Sequence, residues 1–186
     1  MRTTFAGLLL LAGLPGAAVT SAQTAKPASG FKAEFLISFD DAENKVLALA
    51  KAMPAEKYSW RPGAGVRSAG EVYVHIANGN RLLLALTGGM PPQEEFMKMV
   101  RENEQREKGV TGKDKIAADV EASFKEVRKA LDEATEESLG KPIKFFGEDT
   151  TPRAVYLSIL EHVSEHLGQE IAYARINGVV PPWSRE

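Results

Sequence analysis

Apolar residues recur at intervals of three and four in four long stretches of this chain, with polar residues between them. Such spacing marks helices that bury one face. In the first stretch, Phe31, Phe35, Phe39, Ala42, Val46, Leu49 and Met53 share a face. Lys32, Asp40, Asp41, Glu43, Asn44 and Lys51 lie opposite, and Pro54 ends the helix. The second stretch opens on Ser68 and Glu71, spaced as a capping box in which the hydroxyl takes the third helical N–H and the carboxylate reaches back. It runs to about Thr87 and stops at Gly88-Gly89, with Val72, His75, Gly79, Leu82, Leu83 and Leu86 on its inner face. Gly79 costs helix propensity but lets another helix approach closely. The third stretch, Lys113 to Ser138, buries Ile116, Val120, Phe124, Val127, Leu131 and Ala134. The fourth has Thr151 as N-cap and Pro152 at the first helical position, and it runs to Asn177 before Gly178. Val155, Ile159, His162, His166, Gln169 and Tyr173 follow one of its faces.

The connections carry turn formers. Residues 54–67 hold Pro54, Pro62, Gly63 and Gly65, and Tyr58 and Trp60 are expected to lie as a lid over a bundle end or to wall a substrate pocket. Met90 to Thr111 is highly charged, and within it residues 93–107 read as a short surface helix with Phe96, Met97 and Val100. Its charges are expected to form a solvated face. Residues 142–150 read as a loop with an extended piece at Ile143–Phe146, and the tail through Trp183 is expected to pack extended on the bundle. Four long helices and no convincing sheet predict an all-α protein, a four-helix bundle with a long connection between helices 2 and 3.

Length and composition refine this. A chain of 186 residues is one domain with enough apolar content for a core. Its beginning reads differently: Arg2, then an apolar run from Phe5 to Leu14, then small residues through Ala22. That is the pattern of a secretory signal peptide over residues 1–22, cut after Ala22, and the run is too short to span a membrane. Residues 23–30 follow as a flexible lead-in, and 31–186 as the bundle domain. The expectation is export to a bacterial periplasm or beyond. No cysteine is present, so disulfides, thiolate ligands, a thiol nucleophile and a lipoprotein anchor are all excluded. The net charge of −2 shows no basic surface for nucleic acid.

The chemistry rests on the three histidines. His162 and His166 sit four positions apart, about 40° apart around a helix axis. His75, on the apolar stripe of the second helix, can face them across the core. Three neutral imidazoles with an open position suit Zn²⁺, and imidazole also suits Ni²⁺, Fe²⁺ or Co²⁺, with Mn²⁺ a further divalent candidate. His162-Val-Ser-Glu165-His166 matches the H-x-x-E-H pattern of inverted zinc peptidases, and Glu165 falls beside the ligand pair as a candidate proton acceptor. A peptidase of that type needs a third ligand well downstream, for which the chain leaves no room. Asn78 and Gln169 each follow a histidine by three residues and are candidate hydrogen-bonding neighbours of the site.

A wider set of residues carries a resemblance. One histidine on the second helix, His162-x-x-x-His166 on the fourth, His166-Leu-Gly-Gln169, and Ala172-Tyr173-x-Arg175-x-Asn177-Gly178 together resemble the DinB-like (YfiT-type) metalloprotein superfamily. Met53-Pro54-x-x-x-Tyr58-x-Trp60-x-Pro62 and Val66-Arg67-Ser68 are similar to it as well, so that the likeness covers essentially the whole mature chain. The resemblance implies a four-helix bundle of unusual helix order, often a homodimer, with a divalent ion held by His75, His162 and His166. It also implies kinship with thiol S-transferases and isomerases that use bacillithiol or mycothiol. The functional expectation is an exported metal-dependent hydrolase or group transferase acting on a small molecule. The alternatives are a non-catalytic metal-binding or stress-associated bundle, and a small-molecule binder using a pocket beneath Trp60.

Overall fold

The computed structural model describes residues 30–184, so the expected leader and the lead-in through residue 29 lie outside the described residues. Six helices and one hairpin follow in order: α1 (Phe31–Ala52), α2 (Ala69–Ala85), α3 (Gln93–Gly109), α4 (Lys113–Glu133), α5 (Glu136–Leu139), β1 (Ile143–Phe145), β2 (Glu148–Thr150) and α6 (Pro152–Ile176). The four long amphipathic segments become α1, α2, α4 and α6. Both α1 and α2 pack on α4 and α6, so α1 and α2 face each other across the bundle diagonal. No described helix is long and apolar enough to cross a membrane.

The core is an aromatic and aliphatic seam. Phe35 stacks on Phe39 at 5.0 Å, Phe39 meets Phe124 at 5.3 Å, and Tyr156 meets Phe35 edge-on at 5.6 Å. Each such fully buried side chain contributes about 1.5–3 kcal/mol of burial free energy. The predicted stripes of α1 and α4 are the buried ones. Helix α2 departs from its predicted single stripe: Tyr73, Val74, Ile76, Ala77 and Asn80 are buried, while His75, Leu82 and Leu83 of the stripe are only half-buried. It has α4, α6 and α3 around it. Glu43, read as part of the polar face of α1, is also buried; Arg128 of α4 bonds it and stacks over Phe39 at 5.7 Å.

Local chemistry sets the ends. Ser68 and Glu71 form the expected capping box of α2. Ahead of it, the carbonyls of Tyr58 and Trp60 accept the N–H groups of Gly70 and Ala69, at 2.8 and 3.0 Å. Tyr58 is buried with its hydroxyl donating to the Ala50 carbonyl at 2.8 Å, and Trp60 meets Tyr173 edge-on at 5.2 Å. These two aromatics therefore cover a bundle end. The third long helix stops at Glu133, five residues before the predicted end at Ser138. Ala134 and Thr135 turn extended, and the Thr135 hydroxyl caps α5 by taking the Ser138 N–H. A threonine able to cap a new helix competes with continuing the old one. The extended piece at 143–146 pairs into the hairpin, whose central Phe146 and Gly147 both have positive φ. The tail forms a 3₁₀ turn over Pro182–Ser184 against α1, where an extended segment was expected.

Candidate metal centre

Helix α2 carries His75, and α6, packed against it, carries His162 and His166. Their rings form a nearly equilateral triangle, with centroids at 5.0 Å (His75–His162), 4.6 Å (His75–His166) and 4.6 Å (His162–His166). One ring nitrogen from each lies within 4.8 Å of the others. The close approach depends on Gly79. A Cβ there would fall 2.1 Å from His162 Cε1 and 2.5 Å from its Nδ1, so the imidazole occupies the space a side chain would need. His75 sits half-buried at the edge of the core, facing a gap beside α3, where a position inside the core was expected.

Two of the rings are fixed by their outer nitrogens. His75 Nδ1 lies 2.5 Å from Glu107 Oε1, and Arg67 Nε donates to Glu107 Oε2 at 2.7 Å. Burial pushes the Glu107 carboxyl up, but hydrogen bonds from His75 and Arg67 outweigh it and hold it below the ordinary range. An ionised carboxylate has no proton to give, so His75 Nδ1 is the donor and Nε2 is the nitrogen left for a ligand bond. His166 Nδ1 meets Gln169 Oε1 at 2.9 Å. Gln169 Nε2 donates to the Tyr173 hydroxyl at 2.8 Å, and that hydroxyl donates to the Arg67 carbonyl at 3.3 Å. This chain orients the amide so that its oxygen accepts from His166, which also frees Nε2. His162 Nδ1 is buried with no partner among the described residues.

The electrostatics keep the two histidines of α6 neutral. Burial, then the neighbouring His166, His75 and Arg67, push the His162 pKa down to about 3. Burial also lowers His166, against the hydrogen bond to Gln169. Three adjacent lone-pair donors, two already oriented by outer partners and one with an unsatisfied nitrogen, fit a divalent cation. Imidazole nitrogens alone suit zinc or another late first-row metal. A cavity of about 220 Å³ opens beside them, lined by Arg67, His75, Gly79, Leu82, Val100 and His162 among others.

The remaining sequence candidates separate here. Gln169 holds His166. Asn78 is buried and its hydrogen bonds go to α3, not to a histidine; it donates to the Asn103 carbonyl at 3.0 Å and accepts from Arg106 at 2.9 Å, tying α2 to α3. Glu165 is exposed on the outer flank of α6, where it exerts a small upward pull on the His166 pKa. The carboxylate that touches the site is Glu107, from a helix whose charges were expected to be solvated. Its signal was positional: Phe96, Val100, Asn103 and Glu107 follow one face of α3, and all four are partly buried.

Fold and site together define a helical bundle with a three-histidine cluster at one flank. The profile of the DinB superfamily matches residues 38–169, and the chain belongs to that superfamily. Solved structures with the same fold include a DinB-like protein from Bacillus cereus, 21% identical with a TM-score of 0.65, covering 80% of this chain and 93% of that one. A DinB-like protein from Bacillus subtilis, YjoA, is 23% identical with a TM-score of 0.60, covering 78% and 92%. A conserved protein from Enterococcus faecalis is 18% identical with a TM-score of 0.61, covering 80% and 98%. No curated protein matches the chain.

Proposed function

We propose that this chain is an exported, metal-dependent enzyme that uses His75, His162 and His166 to hold a divalent ion, zinc or nickel foremost. The observation that carries this reading is the pairing of two outer-nitrogen clamps, Glu107 on His75 and Gln169 on His166, with an adjoining cavity. Such clamps are what metal-ligating histidines need, and purely structural histidines have no use for two of them converging on one point. Among the described residues the cluster has no fourth His, Cys or carboxylate ligand. That favours an ion accessible to a small molecule over one sealed in for stability.

When bound, such an ion supplies a lowered pKa for a coordinated water or thiol and polarises a carbonyl, which suits hydrolysis or group transfer. The chain's own contribution is to keep His162 and His166 neutral, to fix the orientation of His75 and His166, and to present an apolar wall from Leu82, Leu83 and Val100. Glu165, one residue before His166, is the candidate proton acceptor. The apolar run from Phe5 to Leu14 and the small residues before Gln23 support export. Metal analysis of the purified chain tests the reading: one equivalent of divalent ion is expected, and His162→Ala and His166→Ala should each lose most of it. Full occupancy in both variants would rule it out. A screen of ester, amide and thiol substrates on the loaded protein then separates an enzyme from a metal-binding bundle.

A further inference from the structure

The cavity beside the histidines has two chemically distinct parts. Leu82, Leu83 and Val100 give it an apolar wall, and Arg67 brings a cation next to His75 and His162. At about 220 Å³ it is smaller than the pockets that take drug-sized molecules, so its occupant is small. Arg67 is pinned through one donor only, Nε on Glu107 Oε2, and the other oxygen of that carboxylate holds His75. Its Nη1 and Nη2 have no hydrogen-bond partner among the described residues, and its side chain is 42% exposed. A guanidinium held by Nε keeps the Nη1–Nη2 edge, the edge that meets a carboxylate with two parallel bonds.

The charge around the cavity sets the order of events. Arg67 faces Glu104 and Glu107 there, so a net negative charge lines the metal-free cavity and weakens anion binding on the guanidinium fork without removing it. A dication turns the balance positive and favours an anion. We propose that Arg67 is the specificity-determining residue for a small apolar carboxylate, which binds its carboxylate on the Nη1–Nη2 edge and its aliphatic part against Leu82, Leu83 and Val100. The inference rests on the metal reading for its chemistry, while the Arg67 contact is tested by binding alone.

The test is calorimetric titration of the zinc-loaded full chain with hexanoate, hexyl phosphate and hexanol. Hexanoate should bind at least about tenfold more tightly than hexanol, and Arg67→Gln should cost it about tenfold or more with zinc stoichiometry unchanged. Arg67→Lys keeps a cation for Glu107 but loses the fork, and should bind hexanoate measurably more weakly than the wild type. This second variant decides the matter if Arg67→Gln fails to fold. Equal hexanoate affinity in the variants and the wild type overturns the proposal, as does hexanol binding as tightly as hexanoate. A clear preference for hexyl phosphate overturns the choice of carboxylate. A wild-type chain that takes up no zinc sinks the metal reading instead. Hexanoate titrated into the metal-free chain then decides the present one: Arg67-dependent binding sustains it, and absence of binding overturns it.

Discussion

His162 lies ring against backbone on Gly79, so close that a single methyl at position 79 would fall 2.1 Å from His162 Cε1. The contact couples helix packing to ligand placement. Gly79→Ala is therefore expected to push the imidazole away or prise α2 from α6. Overpacking of this kind costs about 1–3 kcal/mol. Thermal unfolding should show the loss, and metal analysis should show occupancy falling with it. A stable, fully loaded Gly79→Ala protein would mean that the ring has room elsewhere.

Glu107 is expected to matter to metal affinity through His75 alone. Glu107→Ala should weaken binding about 10- to 100-fold, in line with the loss of other carboxylate clamps on ligand histidines. Glu107→Gln keeps an acceptor for Nδ1–H and should lose less. Competition against a chromophoric chelator measures both, and equal affinities in the wild type and Glu107→Ala would refute the clamp.

Glu165 carries a different expectation. Glu165→Gln should abolish turnover of any substrate found by screening while leaving metal content intact. Unchanged turnover would remove its role as proton acceptor.

Glu170 makes the stability of the chain depend on pH. Its carboxyl is fully buried between α6 and α2, and burial pushes its pKa well above the ordinary range, with Tyr73 opposing weakly. The unfolded chain ionises this group near the ordinary value of about 4.3, while the folded chain keeps the proton to higher pH. Across that window the native state binds more protons, so stability contributed by the neutral form is lost as pH rises through the folded pKa. Glu170→Gln should remove this slope and gain more stability in mildly alkaline than in acidic solution. Denaturant unfolding at both pH values checks it, and a gain that does not grow with pH would refute it.

Phe124 is fully buried against Phe39. Phe124→Ala should cost about 3–5 kcal/mol, read from the shift of the urea midpoint.

Much of this was legible from spacing. The stripes of α1 and α4 show because each helix has one wet face, and Ser68 and Glu71 mark the start of α2 because capping is local. The extra burial in the first half of α2 was not legible, since a helix with neighbours on three sides shows little contrast between faces there. Glu43 read as solvated because its partner, Arg128, lies 85 residues away. The histidine trio could be read because two members share a helix turn, whereas Glu107 reaches His75 from 32 residues away in sequence. No local pattern reports such a pairing. The break at Ala134–Thr135 was missed for the opposite reason: the competing cap is local, but the apolar period runs past it.

Helix α3 buries none of its residues fully and meets the bundle through polar contacts from Asn103, Arg106 and Glu107. The site thus draws on two kinds of architecture. His75, His162 and His166 stand on helices that build the core, while the group that orients His75 stands on a helix none of whose residues is fully buried. A different sequence between residues 90 and 111 could leave the scaffold standing and retune the centre, making that segment the natural place to redesign selectivity without rebuilding the protein.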